Sequence, residues 1–455
     1  MRVPFGPGKG HIMQSRFSRR SLVGGATGAT LGAGLIGLAR PSSVFAAPAV
    51  IQDSGSKVQV QYWTSFSSGV NGDAQNKLIS DFNASQSDIE VIATPQESYE
   101  AIAQALISGL QTGDVPDLVL FSEAWWFRFY LAQVLVDLNT LITDETNVAD
   151  YVPTLFNEYQ RNGGQYAIPF ARSTPLLYYN SEMVEKAGLT GEVFAKWSTL
   201  QESGADLIAG SGAEKAFAFG SAAGYGSWFL QGTVWGFNGA YSDIDLNIKL
   251  TEDGAVEAGE AMRNLVQSGV AAAVADPSQD FLTQTTVATF ASTGSLGNLT
   301  ATAEFPFTTA FLPAEHTFGC CTGGSGMALL NTSPEEVQQA AFKFIEYCTS
   351  TDVTTYWAQT TGYMPVRISA RDSDSMQAFF AENPNSKTAV DQLEKVQQVD
   401  AVMVAVPNGA QFIGQGWEQI LVNNVPAADA WEETKGILDT EAEPVIEQIQ
   451  AVEGE

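Results

Sequence analysis

Histidine is nearly missing from this 455-residue chain. His11 and His316 are the only two, and His11 lies in an N-terminal stretch that reads as an export signal. A single remaining His argues against a zinc site of several His, a Ser-His-Asp triad and a Cys-His dyad. G-x-S-x-G, G-x-x-x-x-G-K-[ST] and a post-strand G-x-G-x-x-G are also missing. No cofactor or metal is therefore expected. Carboxylates are abundant, so counting alone does not exclude a glycosidase pair.

Basic residues are scarce. The chain has 22 Lys and Arg against 51 Asp and Glu, a net charge of −29. Six of the basic residues and none of the acidic ones fall in residues 1–46, so the remainder carries −35. Such a surface repels nucleic acid and anionic lipid, and both are rejected as partners. A local cation could still hold one anionic ligand. Cysteine is limited to Cys320, Cys321 and Cys348. The adjacent pair would close only a strained ring and either could reach Cys348, but buried thiols are the favoured state.

Long apolar runs are lacking apart from one. Residues 23–39, Gly- and Ala-rich and weakly hydrophobic, follow a twin-arginine pattern at Ser18-Arg19-Arg20-Ser21-Leu22. Val44-Phe45-Ala46 then supplies a small-residue cleavage site. Residues 1–46 are expected to be a twin-arginine signal peptide, with Met13 a candidate start, and 47–56 a flexible leader. No Cys lies near the cleavage site, so no lipid anchor on Cys is expected. The mature protein would be periplasmic or otherwise extracytoplasmic.

The chain is long enough for two domains with their own cores. It is rich in aromatic side chains, with nine Trp and thirteen Tyr. Sugar and choline sites use such rings as flat stacking faces, although each alone reads first as core packing. Strands are expected at 58–63, 89–92 and 117–121, with helices at 74–82, 99–112 and 124–135. This alternation argues for a parallel sheet with helical crossovers. Residues 159–171 read as a hairpin turning at Asn162-Gly163-Gly164. A strand at 176–180 then leads into a helix at 182–187, capped by Ser181 and closed by Gly188. An amphipathic helix is expected at 334–348, and helices dominate from 373 onward. Two α/β regions with a helical tail suggest two lobes around a cleft.

Five blocks carry a family resemblance: PFARSTPLLYYNSEMVEKAGL (169–189), ASTGSLGNL (291–299), TGGSGMALL (322–330), WAQTTGYMPVRISA (357–370) and FFAENPNSKTAV (379–390). In this order they resemble the solute-binding proteins of ABC-type importers, in the class that binds sugars and glycerol phosphates. The resemblance runs over nearly all of the mature chain. It implies an α/β, two-lobed periplasmic-binding-protein fold (type II, Venus-flytrap) with a helical C-terminal region. Lobe 1 would be 57–172 plus 313–362, and lobe 2 would be 173–312 plus 363–455. Ligand binding would close the lobes. The partners would be a small-molecule sugar, polyol or glycerol phosphodiester and an ABC permease in the membrane, with the binding protein a monomer.

The resemblance also implies ligand contacts. Tyr99, Ser173, Ser292, Gly324 and Tyr363 match family positions, and Glu123 follows a strand at a carboxyl end, where α/β sheets bind ligands. Tyr225 and Trp228 occupy an aromatic pair position, and Trp63 ends the first strand. Residues 292–295 open a helix whose free N–H groups suit phosphate or hydroxyls. One departure stands out. The glycerol-phosphate binders carry an Arg in the C-terminal segment, and QVDAVMVAVPNGAQF (398–412) has no Lys or Arg. Either Arg172 supplies the charge from the other side, or the ligand is neutral, and the missing Arg favours a neutral sugar or polyol. Two other functions compete with transport: an exported carbohydrate-active hydrolase using Glu123 and a second carboxylate, and a surface adhesion module.

Overall fold

The computed structural model describes residues 57–454; the expected signal peptide and leader lie outside them. The described chain opens as β1 (Val58–Thr64), α1 (Gly69–Ser85), β2 (Ile89–Pro95), α2 (Tyr99–Thr112) and β3 (Leu118–Ser122). β1 pairs in parallel with both β2 and β3. Helix α2 has the expected bounds for clear reasons. Ser98 accepts a hydrogen bond from the Ala101 N–H, and Gly113 takes φ 81° to close the last turn.

The next expected helix is shorter than 124–135. Helix α3 spans Trp126–Leu131, and Gln133 at φ 55° turns the chain away. The hairpin is present but small. β4 (Gln160–Arg161) and β5 (Gly164–Gln165) flank Asn162 and Gly163, both at positive φ, as a tight hairpin turn requires. β6 (Ile168–Ser173) leaves the hairpin and joins the first main sheet.

That sheet has the order β2-β1-β3-β12-β6, where β12 is Gly323–Leu329. It is mixed rather than all parallel, because β12 runs antiparallel to both β3 and β6. The second sheet has the order β11-β7-β10-β8-β9. Its strands are β7 (Pro175–Asn180), β8 (Lys215–Gly220), β9 (Ala271–Val274), β10 (Thr286–Ser292) and β11 (Phe307–Ala310). Asn180, not Ser181, caps the helix after β7, by accepting from the Met183 N–H at 3.0 Å.

The chain passes between the sheets at Thr174, between β6 and β7, and again between β11 and β12. Helices Glu335–Cys348 and Thr351–Thr361 return to pack on β1 and α1. Arg367 is then held by the carbonyls of Thr146, Asn147 and Thr349. By Asn385 the chain has reached β11, where its side chain accepts from the Thr309 N–H. The C-terminal helices Gly409–Leu421 and Ala427–Glu453 lie against helices Ala223–Phe229 and Asp253–Gln267. Gly414 permits one of these approaches, since a Cβ there would sit 1.6 Å from the Ala223 carbonyl oxygen. Trp417 and Trp431 meet edge to face, 5.0 Å apart, in the core of this layer.

All three cysteines are buried free thiols. Among the described residues no helix is long and apolar enough to cross a membrane.

Candidate functional site

A cavity of about 650 Å³ opens where ends of the two sheets meet. Seven of the ten expected residues line it: Tyr99, Glu123, Ser173, Trp228, Ser292, Gly324 and Tyr363. They come from both sheets and are separated by up to 264 positions in sequence, so the folding of the whole chain assembles them.

Tyr99 begins α2, and its hydroxyl donates to Ser325 Oγ at 3.2 Å. Glu123 follows β3 directly and is only 7% exposed. Its Oε2 has no hydrogen-bond partner in the protein. Burial, helped by the nearby Glu158, pushes its pKa up to about 8 despite the opposing pull of Arg172. At neutral pH this side chain is mostly the acid, able to donate one hydrogen bond and accept others.

Ser173 ends β6, and Gly324 lies opposite Arg172 on β12. Gly324 has φ 93°, and a Cβ there would sit 2.0 Å from the Ala171 carbonyl oxygen. No side chain fits, so bare backbone forms that part of the wall. Ser292 ends β10, and its Oγ accepts from the Gly294 N–H at 3.2 Å. The segment it caps is a 3-10 turn, Thr293–Ser295, and the helix proper, Leu296–Thr302, follows it directly. Tyr363 is held by Trp357, stacked at 5.9 Å, and by the edge of Phe66. Trp228 is fixed by an Nε1–H bond to the Thr322 carbonyl at 2.9 Å.

Three expected residues lie elsewhere. Tyr225 donates to the Phe290 carbonyl and stacks on Phe229, which faces the cavity in its place. Trp63 is half-buried and packs against the core. Arg172 is the main correction. It is fully buried and ion-paired with Glu158. It also donates to the Tyr159 hydroxyl, and its guanidinium lies over the Tyr159 ring. It does not line the cavity, so it is not available to grip a phosphate there.

Two wall elements escaped the reading of the sequence. Arg128, half-buried on α3, lines the cavity. So does the segment 403–411, noted beforehand only for its lack of basic residues. A larger cavity of about 800 Å³ lies beyond the short helix Ala401–Ala405, and the two cavities share Val404 and Ala405. None of the ten expected residues lines the larger one, so the smaller cavity is the better candidate. Among the described residues no group of three or more His, Cys, Asp or Glu could hold a metal.

Two sheet-based lobes with a polar, aromatic-walled cavity between their strand ends define a solute-binding protein of the periplasmic type. Residues 77–388 match the family model of the bacterial extracellular solute-binding proteins, and the chain belongs to that family. It is therefore a substrate-binding protein of the ABC-importer type and not an enzyme. It is 24% identical to the sn-glycerol-3-phosphate-binding periplasmic protein UgpB of Escherichia coli K12, over 73% of this chain and 80% of that one. It is 35% identical to UgpB from Mycobacterium tuberculosis, solved in complex with glycerophosphocholine. That match has a TM-score of 0.80 and covers 86% of this chain and 100% of the other. The cyclic alpha-maltosyl-1,6-maltose binding protein of Arthrobacter globiformis shares the fold, with a TM-score of 0.72 at 22% identity, over 86% and 99% of the two chains.

Proposed function

We propose that this protein captures a glycerophosphodiester outside the cytoplasmic membrane and delivers it to an ABC permease. One observation carries the reading: 35% identity across the whole of a chain crystallised with glycerophosphocholine. The cavity agrees with it in chemistry. It offers hydroxyls from Tyr99, Ser173, Ser292 and Tyr363, the carboxyl of Glu123, aromatic faces and one arginine. A neutral sugar is the second reading, favoured by the lack of any basic residue in 398–412.

The lobes are taken as 57–173 with 323–382, and 174–322 with 383–454, since Met376 and Phe380 pack on Ala358 of the first lobe and Asn385 already bonds to β11 of the second. The third crossing is assigned later than residue 363 because Arg367 is bound to the first lobe. The bound, closed form would be what the permease reads. Export by the twin-arginine route, a monomeric state without a Cys-linked lipid, and no nucleic-acid partner complete the proposal.

Calorimetric titration of the mature protein tests it, with glycerophosphocholine, glycerol-3-phosphate, maltose and trehalose compared side by side. Saturable binding of glycerophosphocholine, with the ligand recovered intact, is expected. Binding of maltose or trehalose alone would replace this reading with the sugar one.

A further inference from the structure

We propose that Arg128, with the first turn of helix Gly409–Leu421, forms the seat for the ligand's phosphodiester group. This inference rests on the glycerophosphodiester reading above and locates its charge partner. The expected donors are unavailable: Arg172 is sealed behind the wall by Glu158, and 398–412 contains no cation.

Arg128 has what the seat requires. Among the described residues, Arg161, Arg172, Arg263, Arg367 and Arg371 are each paired with a carboxylate. Arg128 is the exception, with neither an ion pair nor a side-chain hydrogen bond, in a protein with a large acidic excess. It is half-buried and lines the cavity. A partly desolvated guanidinium without a partner is costly, and an anion arriving there would relieve that cost.

The same wall supplies backbone donors. Asn408, Gly409, Ala410 and Gln411 line the cavity at the start of a 13-residue helix, and no side chain caps that start. First-turn N–H groups and the positive end of the helix dipole favour an anion. Helix Ala401–Ala405, just before this segment, packs on α3, which carries Arg128. Glu123 provides independent evidence of a ligand. Its side chain is more than nine-tenths buried and lines this cavity, and its Oε2 has no hydrogen-bond partner in the protein. As the neutral acid it can donate to an oxygen of the ligand without repelling an anion.

The balance of charge narrows the ligand. A phosphodiester carries one negative charge, which one arginine neutralises. A phosphomonoester approaches two at neutral pH. The seat therefore prefers glycerophosphocholine over glycerol-3-phosphate.

Calorimetry and thermal melting of the wild type, Arg128→Met and Arg128→Lys provide the test, with glycerophosphocholine as probe. Arg128→Met should weaken binding at least 30-fold and Arg128→Lys by less. Melting of the ligand-free proteins should not fall, since Arg128 supports no other group and its unpaired charge is itself a cost. An Arg128→Met protein that binds glycerophosphocholine within threefold of wild type would overturn the seat but leave the function standing. A wild type that binds maltose and not glycerophosphocholine would overturn both. Tighter wild-type binding of glycerol-3-phosphate than of glycerophosphocholine would overturn the charge assignment.

Discussion

Arg172 and Glu158 form an ion pair closed off from solvent next to the candidate cavity, with side-chain exposures of 0% and 5%. Tyr159 and Thr322 complete it, the Thr322 hydroxyl donating to the second carboxylate oxygen of Glu158 at 2.8 Å. The pair thus joins β6, the start of β12 and the turn before the hairpin. Removing one partner leaves a buried charge alone. Arg172→Met should destabilise the protein by roughly 3–5 kcal/mol in urea unfolding, whereas Arg172→Met with Glu158→Leu should recover much of the loss. A single-variant loss below about 1 kcal/mol would show that the pair does not hold this junction.

Glu123 sets a pH dependence of the opposite kind to most carboxylates. Its folded pKa, about 8, is above the unfolded value near 4.5, chiefly because of burial. The native state keeps a proton that the unfolded chain releases. The contribution of Glu123 to stability is therefore fully present below pH 4.5 and falls as pH rises toward 8, by on the order of a few kcal/mol. Glu123→Gln should remove that slope. Urea unfolding at pH 5 and pH 8.5 should give the variant little advantage at the first and a clear one at the second. Parallel curves for the two proteins would contradict the raised pKa.

Much of this could be read in the sequence because the signals are local. Ser98 and Gly113 mark the two ends of α2, and Asn162-Gly163 marks the hairpin turn. The blocks around Ser173, Ser292, Gly324 and Tyr363 pointed to one cavity because the resemblance implies a ligand contact in each. What could not be read was direction. Arg172 and Ser173 are neighbours on β6, and strand alternation sends only one of them toward the cavity. Which one depends on the pairing with β12, where the register shifts between Gly324 and Gly326. Arg128 was lost for a similar reason, since one basic residue within an expected helix does not reveal which face it occupies. The only hint was how few basic residues the chain has. The segment 403–411 reaches the wall through contacts far away in sequence, beyond the reach of local pattern.

The C-terminal helix is fastened to the other side of the molecule at its last turn. Arg161 in β4 donates twice to Glu453, at 2.7 and 3.0 Å, and the Tyr130 hydroxyl donates once at 3.0 Å. Burial alone would raise the Glu453 pKa, but these hydrogen bonds outweigh it and the net shift is downward. The contribution is therefore present above the unfolded value and lost as pH falls through the depressed one. With Arg161 34% exposed, screening keeps it modest. Glu453→Gln should cost about 1 kcal/mol at pH 7, and the two proteins should converge as pH falls through the depressed value. Equal stability at pH 7 would mean that the helix end is held by packing alone.

Tyr363 provides a way to separate contact from support. Its ring lies between Trp357 and the cavity, and Gly294 leaves room for it. A Cβ on Gly294 would sit 2.4 Å from Tyr363 Cζ, well inside contact distance. Gly294→Ala must therefore push the ring out of place without removing any group that could touch the ligand. Tyr363→Ala should weaken glycerophosphocholine binding by about 1–3 kcal/mol. Tyr363→Phe, which keeps the stack on Trp357, should retain the ring's share and lose only that of the hydroxyl. Gly294→Ala should fall between the two if the position of the ring matters. If Gly294→Ala and Tyr363→Ala both bind within twofold of wild type, Tyr363 is a wall residue that the ligand does not use.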